Sequence, residues 1–158
     1  MNRSQLLLVG LPLALAAASD LRTRRIPNTI VIATALTGLA AQFLSGGAAA
    51  AGVALLVSLG VGAALLFPWR AHMLGGGDLK MIAATSLWFA PARIAVFLLA
   101  VAIAGGALAL AALAAAALRR VPATSTAGHA PSQPVLRRTI PYGVAIAIGG
   151  VVTAWMGG

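Results

Sequence analysis

Long apolar runs alternate with short polar links along the whole chain. A helix that crosses the roughly 30 Å of hydrocarbon in a bilayer needs about 20 mainly apolar residues, because each residue adds about 1.5 Å. The pattern therefore predicts an all-α polytopic integral membrane protein. We expect about six transmembrane helices, at residues 4–23, 28–43, 49–67, 79–90, 93–118 and 140–156.

Two of these runs allow another interpretation. The fourth run is short and the fifth is long, so residues 79–118 could form one crossing and a re-entrant piece, although Pro91 and Arg93 favour a turn between them. The first run also resembles a secretory signal, with Arg3 before it and small residues at 16–18. Cleavage is disfavoured because a cluster of three arginines follows immediately, at positions 22, 24 and 25.

The positive charges predict the orientation of the helices. Loops on the cytoplasmic side of a membrane are enriched in Lys and Arg. With six crossings, only Arg3 and Arg93 lie on one side. The other side carries Arg22, Arg24, Arg25, Arg70, Lys80, Arg119, Arg120, Arg137 and Arg138. This second side is therefore predicted to be cytoplasmic, with both termini outside and with Asp20 and Asp78 at the cytoplasmic surface.

Composition supports the membrane and excludes several kinds of partner. The chain of 158 residues is 61% hydrophobic and 8% charged, against about 25% charged in a typical soluble domain. Its net charge of +9 could indicate nucleic acid or anionic lipid. The cations lie between apolar runs and aromatic residues are only 5%, so we expect a lipid bilayer and no nucleic acid.

Metal and cofactor chemistry is not expected. The chain has no cysteine, and its two histidines, His72 and His129, are far apart in sequence. A thiolate site and a clustered histidine site are both disfavoured. The only long polar stretch, at about 119–139, contains three prolines and several Ser and Thr. It predicts a flexible cytoplasmic linker within a single membrane-embedded domain, residues 1–158.

Asp20 and Asp78 are the only acidic residues of the chain. Ionisable groups at membrane depth are costly and are usually functional. They could instead be helix-end charges that pair with arginines, since Arg24 and Arg25 lie close to Asp20 in sequence. Two intramembrane acids could also relay protons in a small transporter.

The residues before Asp78 suit the approach of a peptide. Gly75, Gly76 and Gly77 carry no Cβ, so another backbone can come close to the carboxylate. Lys80 could bind a substrate carbonyl or a lipid phosphate, or could only anchor the topology. His72 leads into this loop and could touch the site or be solvated. Tryptophans near the ends of runs are expected at the membrane interface, namely Trp69, Trp88 and Trp155.

Three stretches resemble the signatures of the type IV prepilin peptidase family. They are residues 20–28 (DLRTRRIPN), 75–80 (GGGDLK) and 140–147 (IPYGVAIA), in the family's order and spacing. The resemblance suggests the small peptidases of tight-adherence pilus systems in particular. Larger relatives insert a domain with paired cysteines that accompanies N-methylation, and this chain has neither, so methyltransferase activity is not expected.

The resemblance implies a membrane aspartic endopeptidase of the bacterial inner membrane. Its partner would be a prepilin or pseudopilin precursor, whose leader it would cleave at the cytoplasmic face without a cofactor. Asp20 and Asp78 would be catalytic. The residues expected to bind substrate or shape the site are Pro27, Asn28, Gly75, Gly76, Gly77, Lys80, Pro141 and Gly143.

Such chemistry requires the two carboxylates to share a site. Carboxylates within about 4–6 Å of each other cannot both ionise cheaply, so one stays charged and the other neutral. The ends of the first and fourth predicted helices should then lie side by side, but the sequence does not indicate which aspartate is the base. The alternatives are a proton-coupled small membrane transporter and a catalytically inactive pilus-assembly membrane protein.

Overall fold

The computed structural model describes residues 3–118 and 142–156, and these residues form five helices. This part of the chain is all-α, as predicted. The predicted linker at 119–139 and Pro141 lie outside the described residues. The helices are α1 (Arg3–Thr23), α2 (Asn28–Arg70), α3 (Gly76–Ser86), α4 (Pro91–Leu118) and α5 (Tyr142–Trp155).

Helix α2 covers both the second and the third predicted segments and folds back on itself. A straight helix of its 43 residues would be about 64 Å long. Yet Asn28, at its start, contacts Lys80, and Trp69, near its end, lies against Gly76. Both contacts are at the beginning of α3, so the two ends of α2 lie near each other.

The reversal occurs at two glycines. Gly46 (φ −147°, ψ 18°) and Gly47 (φ 68°, ψ −163°) are non-helical, and the second conformation is essentially restricted to glycine. They divide α2 into a first arm, residues 28–45, and a second arm, residues 48–70. The five helices therefore comprise six helical arms, where the sequence predicted six separate helices.

Helix α3 is short and is held between the two arms of α2. The Ser58 hydroxyl donates to the Ala83 carbonyl at 2.7 Å, and the Gln42 amide donates to the Leu87 carbonyl at 3.2 Å. These bonds supply partners to carbonyls at the end of α3, which a helix leaves without internal donors. The helix ends at Ser86, earlier than predicted, and Pro91 opens α4.

Trp88 corrects the prediction of an interfacial side chain. It is only 6% exposed, and its indole N–H donates to the Thr34 carbonyl at 3.0 Å. The indole fits because a Cβ on Gly38 would lie 2.8 Å from it. The hydrogen bond of Trp88 therefore holds the turn after α3 against the first arm of α2.

Helix α5 packs against α1, α3 and α4, and glycines of α5 lie at these contacts. A Cβ on Gly149 would lie 2.5 Å from Val101 in α4, and one on Gly150 would lie 2.6 Å from Leu13 in α1 and 3.5 Å from Thr85 in α3. These glycines allow closer helix packing than any larger residue would. The position of α5 thus depends on contacts with three other helices.

The outer surface of the bundle suits hydrocarbon rather than water. Asn28–Arg70 and Pro91–Ala115 are long and apolar enough to cross a membrane, and only 22% and 17% of their most apolar stretches are buried. Leu44, Phe67 and Leu118 are 85%, 79% and 86% exposed. A soluble protein rarely presents such continuous apolar surface.

The reversal of α2 gives a first testable prediction. Gly47→Ala should lower the free energy of unfolding by about 1–3 kcal/mol, because alanine is strained in that backbone conformation. Gly52→Ala is the matched control, since Gly52 is helical and a Cβ there meets nothing within 4 Å. Unfolding in detergent micelles, followed by circular dichroism, measures both variants, and equal stabilities would argue against the fold-back.

Candidate functional site

Asp20 lies in the last turn of α1, where the chain is tightly constrained. The Arg24 N–H donates to the Asp20 carbonyl at 2.9 Å, and Arg24 adopts a left-handed conformation with φ 56°. This geometry ends a helix. The Ser19 hydroxyl donates to the Arg25 carbonyl at 2.8 Å. The link between α1 and α2 therefore folds back against the helix and fixes the backbone at Asp20.

The carboxylate of Asp20 is held by a distant part of the chain. Asp20 is only 7% exposed, and its Oδ2 accepts the backbone N–H of Gly143 at 2.8 Å. Gly143 lies at the start of α5, where helical N–H groups lack partners within the helix and carry a partial positive charge. The first of the three sequence stretches thus meets the third.

Glycine is required at position 143 for this contact. A Cβ there would lie 2.8 Å from the Asp20 Cβ and 3.0 Å from its Oδ2. Real Cβ atoms do not come this close, and both helix backbones would have to separate. Gly143 was predicted to shape the site, and the structure places it directly against Asp20.

Asp78 lies in the first turn of α3, before the apolar part of that helix. Gly75 caps the helix in an extended conformation, with φ −71° and ψ 145°, and makes a backbone hydrogen bond with the Asp78 carboxylate. An acidic residue at this position commonly reaches back to the capping residue. A Cβ on Gly75 would lie 2.5 Å from Asp78 Oδ2. Position 75, like position 143, therefore has no room for a side chain beside the carboxylate.

Burial and a neighbouring charge raise the pKa of Asp78 from 3.8 to about 6. Burial is the larger cause, the charge of Asp20 is the second, and the hydrogen bond with Gly75 acts in the opposite direction. Asp20 therefore lies close enough to Asp78 to alter its ionisation. A carboxyl group with a raised pKa keeps its proton at a pH where an ordinary carboxyl group has lost it, and a general acid needs this property.

Helix α5 contributes to bringing the aspartates together. The prediction placed the ends of their two helices side by side. In the structure α1 and α3 both pack against α5, so the two aspartates come together around the start of a third helix. The sequence analysis expected Gly143, at the start of α5, to shape the site, but it named only the ends of the first and fourth predicted helices as neighbours.

Other predicted site residues connect the two sequence stretches that contain the aspartates. Lys80 Nζ donates to Asn28 Oδ1 at 3.4 Å, and a Cβ on Gly77 would lie at ordinary contact distance, 3.7 Å, from Ile26. The Pro27 carbonyl accepts the N–H groups of Ile30 and Val31 and so starts α2. The stretch that contains Asp20 therefore adjoins the stretch that contains Asp78.

Trp69 lies beside the glycine loop and was not predicted to do so. Its indole nitrogen lies 3.3 Å from the Cβ position of Gly76, and the side chain is 43% exposed. Its position near the end of an apolar run predicted a place at the membrane interface. No spacing or motif marks its proximity to Gly76, because that depends on how the second arm of α2 returns to α3.

The described ranges contain no group of three His, Cys, Asp or Glu side chains that could hold a metal ion. The chemistry that this part of the chain offers is that of a carboxyl pair with backbone donors. Such a pair can take a proton from water and donate one to a carbonyl oxygen.

Comparison with protein families identifies one match. The model of the type IV leader peptidase family matches residues 7–110, about two-thirds of the chain. The match includes both aspartates and the glycine loop and ends before α5. Comparison with curated proteins and with solved structures gives no match.

The coupling of the aspartates gives a second prediction. Asp20→Asn should lower the pKa of Asp78 from about 6, because it removes the neighbouring charge but leaves burial in place. Infrared spectroscopy of the protonated carboxyl band can measure this, since the chain has only two acidic side chains. The Asp78→Asn variant should lose the band that titrates near this pH. An unchanged titration in Asp20→Asn would contradict the proximity of the pair.

Proposed function

Since the chain belongs to the type IV leader peptidase family, we propose that it is a membrane aspartic endopeptidase that cleaves the leader from prepilin or pseudopilin precursors. Family membership supports a protease of the leader peptidase kind. The observation that carries the aspartic mechanism is the pairing of Asp20 with Asp78. The pair is partly buried, electrostatically coupled and held by backbone donors.

Hydrolysis by this pair needs one charged and one neutral carboxyl group. The charged group takes a proton from a water molecule, whose oxygen attacks the scissile carbonyl, while the neutral group donates its proton to the carbonyl oxygen. The raised pKa of Asp78, about 6, supports this division. Asp78 is less buried than Asp20, and this favours the entry of water and of a peptide.

The glycine loop offers a place for the scissile peptide. Gly75 and Gly76 are exposed, and Gly75 has an extended backbone beside the Asp78 carboxylate. An extended substrate strand can approach such a backbone closely because no side chain intervenes. The exposed ammonium group of Lys80, near Asn28, is available there to bind a substrate carbonyl.

The same proposal places the chain in the bacterial inner membrane with its site at the cytoplasmic face. The chain would cross six times with both termini outside, and the short fourth crossing would consist of α3 together with the turn that follows it, residues 76–90. Several cations lie at the same helix ends as the aspartates: Arg22, Arg24 and Arg25 follow Asp20, Arg70 ends α2, and Lys80 follows Asp78. The positive-inside rule assigns this end to the cytoplasm, where a leader remains before export.

Methyltransferase activity is not part of the proposal. The chain has no cysteine, whereas the larger relatives that it resembles carry paired cysteines in an additional domain. A precursor processed by this chain alone would therefore have an unmethylated new amino terminus. The transporter interpretation finds no support in the family match, and an inactive assembly protein would not need the paired carboxyl groups.

The catalytic roles give a third prediction. Asp20→Asn and Asp78→Asn should each reduce precursor cleavage by at least about 100-fold, because asparagine preserves shape but cannot transfer the proton. Co-expression with a candidate precursor, read as a mobility shift and by mass spectrometry of the new amino terminus, measures cleavage.

The control for this experiment is Gly52→Ala, whose Cβ meets nothing within 4 Å and which should cleave normally. Chelators should have no effect. Full activity in either Asn variant, or inhibition by a chelator, would contradict the aspartic mechanism.

The topology gives a fourth prediction. Reporter fusions after Arg25 and Arg70 should report the cytoplasm, and fusions after Gly46 and at Gly158 should report the outside. The prediction follows from the fold-back of α2 and the distribution of cations. A fusion after Gly46 that reports the cytoplasm would show that α2 does not cross twice.

A further inference from the structure

Trp69 carries a hydrogen-bond donor that the fold does not use. In the part of the chain that the structure describes, its indole N–H has no acceptor, and the side chain is 43% exposed. Trp88 shows the usual arrangement, since it is buried and its indole N–H donates to the Thr34 carbonyl at 3.0 Å. The N–H of Trp69 is therefore available to a partner from outside the chain.

We propose that Trp69 binds the precursor beside the scissile bond, by donating a hydrogen bond from its indole N–H to a backbone carbonyl of the extended substrate peptide. This inference rests on the proposed peptidase function and extends it. It adds a residue that touches the substrate but takes no part in proton transfer.

The first argument is the orientation of the ring. The edge of the indole that carries the N–H faces the glycine loop, because Nε1 lies 3.3 Å and Cδ1 3.9 Å from the Cβ position of Gly76. A real Cβ at 3.3 Å would be tighter than most contacts in proteins. The absence of a side chain at Gly76 thus lets the N–H lie beside the loop on which the substrate is proposed to bind.

The second argument is the position of Trp69 relative to Asp78. The Asp78 carboxylate lies against Gly75, and the Trp69 indole lies against the next residue, Gly76. Successive Cα atoms are about 3.8 Å apart, and an extended peptide advances about 3.3 Å per residue. A peptide that runs along the loop with its scissile carbonyl at Asp78 therefore has another carbonyl beside Trp69 within one or two residues.

The third argument is that the end of α2 holds Trp69 in place. The Met73 N–H donates to the Pro68 carbonyl at 2.9 Å, and the His72 N–H donates to the Trp69 carbonyl at 3.0 Å. With His72 in a left-handed conformation, φ 58°, these bonds form a Schellman motif. The motif fixes the backbone at Trp69 and turns the chain back toward Gly76.

Membrane anchoring alone does not explain this placement. An interfacial tryptophan extends its ring toward the lipid headgroups, and Trp155 and Phe67 are 77% and 79% exposed. Trp69 is less exposed because part of its ring lies against the glycine loop. A half-covered ring with an available N–H suits a partner that is both apolar and hydrogen-bonding, as a peptide is.

The test is Trp69→Phe, which keeps an aromatic ring but removes the N–H. The matched control is Trp155→Phe, which makes the same change at another exposed indole. Trp155 ends α5, whereas Gly143, beside Asp20, lies at its start. The two are about 18 Å apart along that helix. The full-length protein is assayed in nanodiscs with the candidate precursor used for the cleavage assay.

Trp69→Phe should raise KM by about 3- to 10-fold, as expected for the loss of one hydrogen bond between neutral groups. It should leave kcat within about twofold, because the bond is present in both the bound substrate and the transition state. Trp155→Phe should change neither constant. If Trp69 only supported the packing of the loop, kcat would fall instead.

Binding is also measured without cleavage. In the Asp78→Asn background, the fluorescence anisotropy of the precursor labelled with fluorescein gives a Kd. Adding Trp69→Phe should raise this Kd by about 3- to 10-fold, and adding Trp155→Phe should not. This second readout does not depend on peptidase activity.

The outcomes separate the inference from the proposed function. An unchanged KM and Kd in Trp69→Phe, a fall in kcat alone, or an equal effect of Trp155→Phe would each overturn the role of Trp69 while cleavage by the wild type retains the peptidase. Loss of binding in Trp69→Phe, with a wild type that cleaves no precursor, would retain the role of Trp69 and contradict the peptidase.

A second variant keeps the inference testable if Trp69→Phe does not insert into the membrane. Gly76→Ala would place a Cβ 3.3 Å from the indole nitrogen and so displace the N–H from the loop. It should raise both KM and Kd, and a wild-type value of both constants would overturn the inference.

Discussion

Two carboxylates at the end of an apolar bundle need hydrogen-bond donors, because burying a charged group without partners is strongly unfavourable. The donors in this protein are backbone N–H groups at helix starts, which have no partner within their own helix. Asp78 uses the start of α3, and Asp20 uses the start of α5. The site therefore depends on where two helices begin.

This dependence explains why glycine occurs where helices meet at the site. Asp20 can accept the Gly143 N–H only if α5 approaches α1 more closely than a Cβ permits. The same closeness recurs further along α5, at Gly149 and Gly150. Glycines elsewhere, such as Gly52 and Gly60, have open space around them. Packing along the whole length of α5 therefore sets the geometry of one hydrogen bond at its end.

The apolar runs predicted the helical arms well, because a membrane-facing helix must be apolar over nearly its whole length. Residues 28–43 and 49–67 correspond to the two arms of α2, and the break falls at glycines in the predicted link. The structure has five helices where six were predicted, because only Gly46 and Gly47 interrupt the helical conformation between the two arms of α2. The fourth predicted segment extended to residue 90, whereas α3 ends at Ser86. The residues after Ser86 form a non-helical turn, and Trp88 holds this turn against α2 through a hydrogen bond.

The site was only partly visible in the sequence. Asp20 and Asp78 stood out because the chain has no other acid, and the glycine loop marked a close approach. Gly143 was expected at the site from the family resemblance, but its hydrogen bond to Asp20 was not predicted, and neither was the contact of Trp69 with Gly76. They join segments that are distant in sequence or that meet only after α2 reverses, and hydropathy carries no information on such pairing.

The buried polar groups of the bundle distinguish a peptidase from a proton-coupled transporter, the two functions that a pair of acidic residues could indicate. Among the described residues, the buried polar side chains other than Asp20 and the Trp88 indole are hydroxyls that donate to backbone carbonyls, namely Thr34, Ser58, Thr85, Ser86 and Thr153. Hydroxyls bound in this way satisfy helix carbonyls and do not change charge near neutral pH. A proton-coupled transporter needs titratable groups that connect both faces. In this part of the chain the carboxyl groups lie together at one end, an arrangement that favours a reaction confined to one side of the membrane.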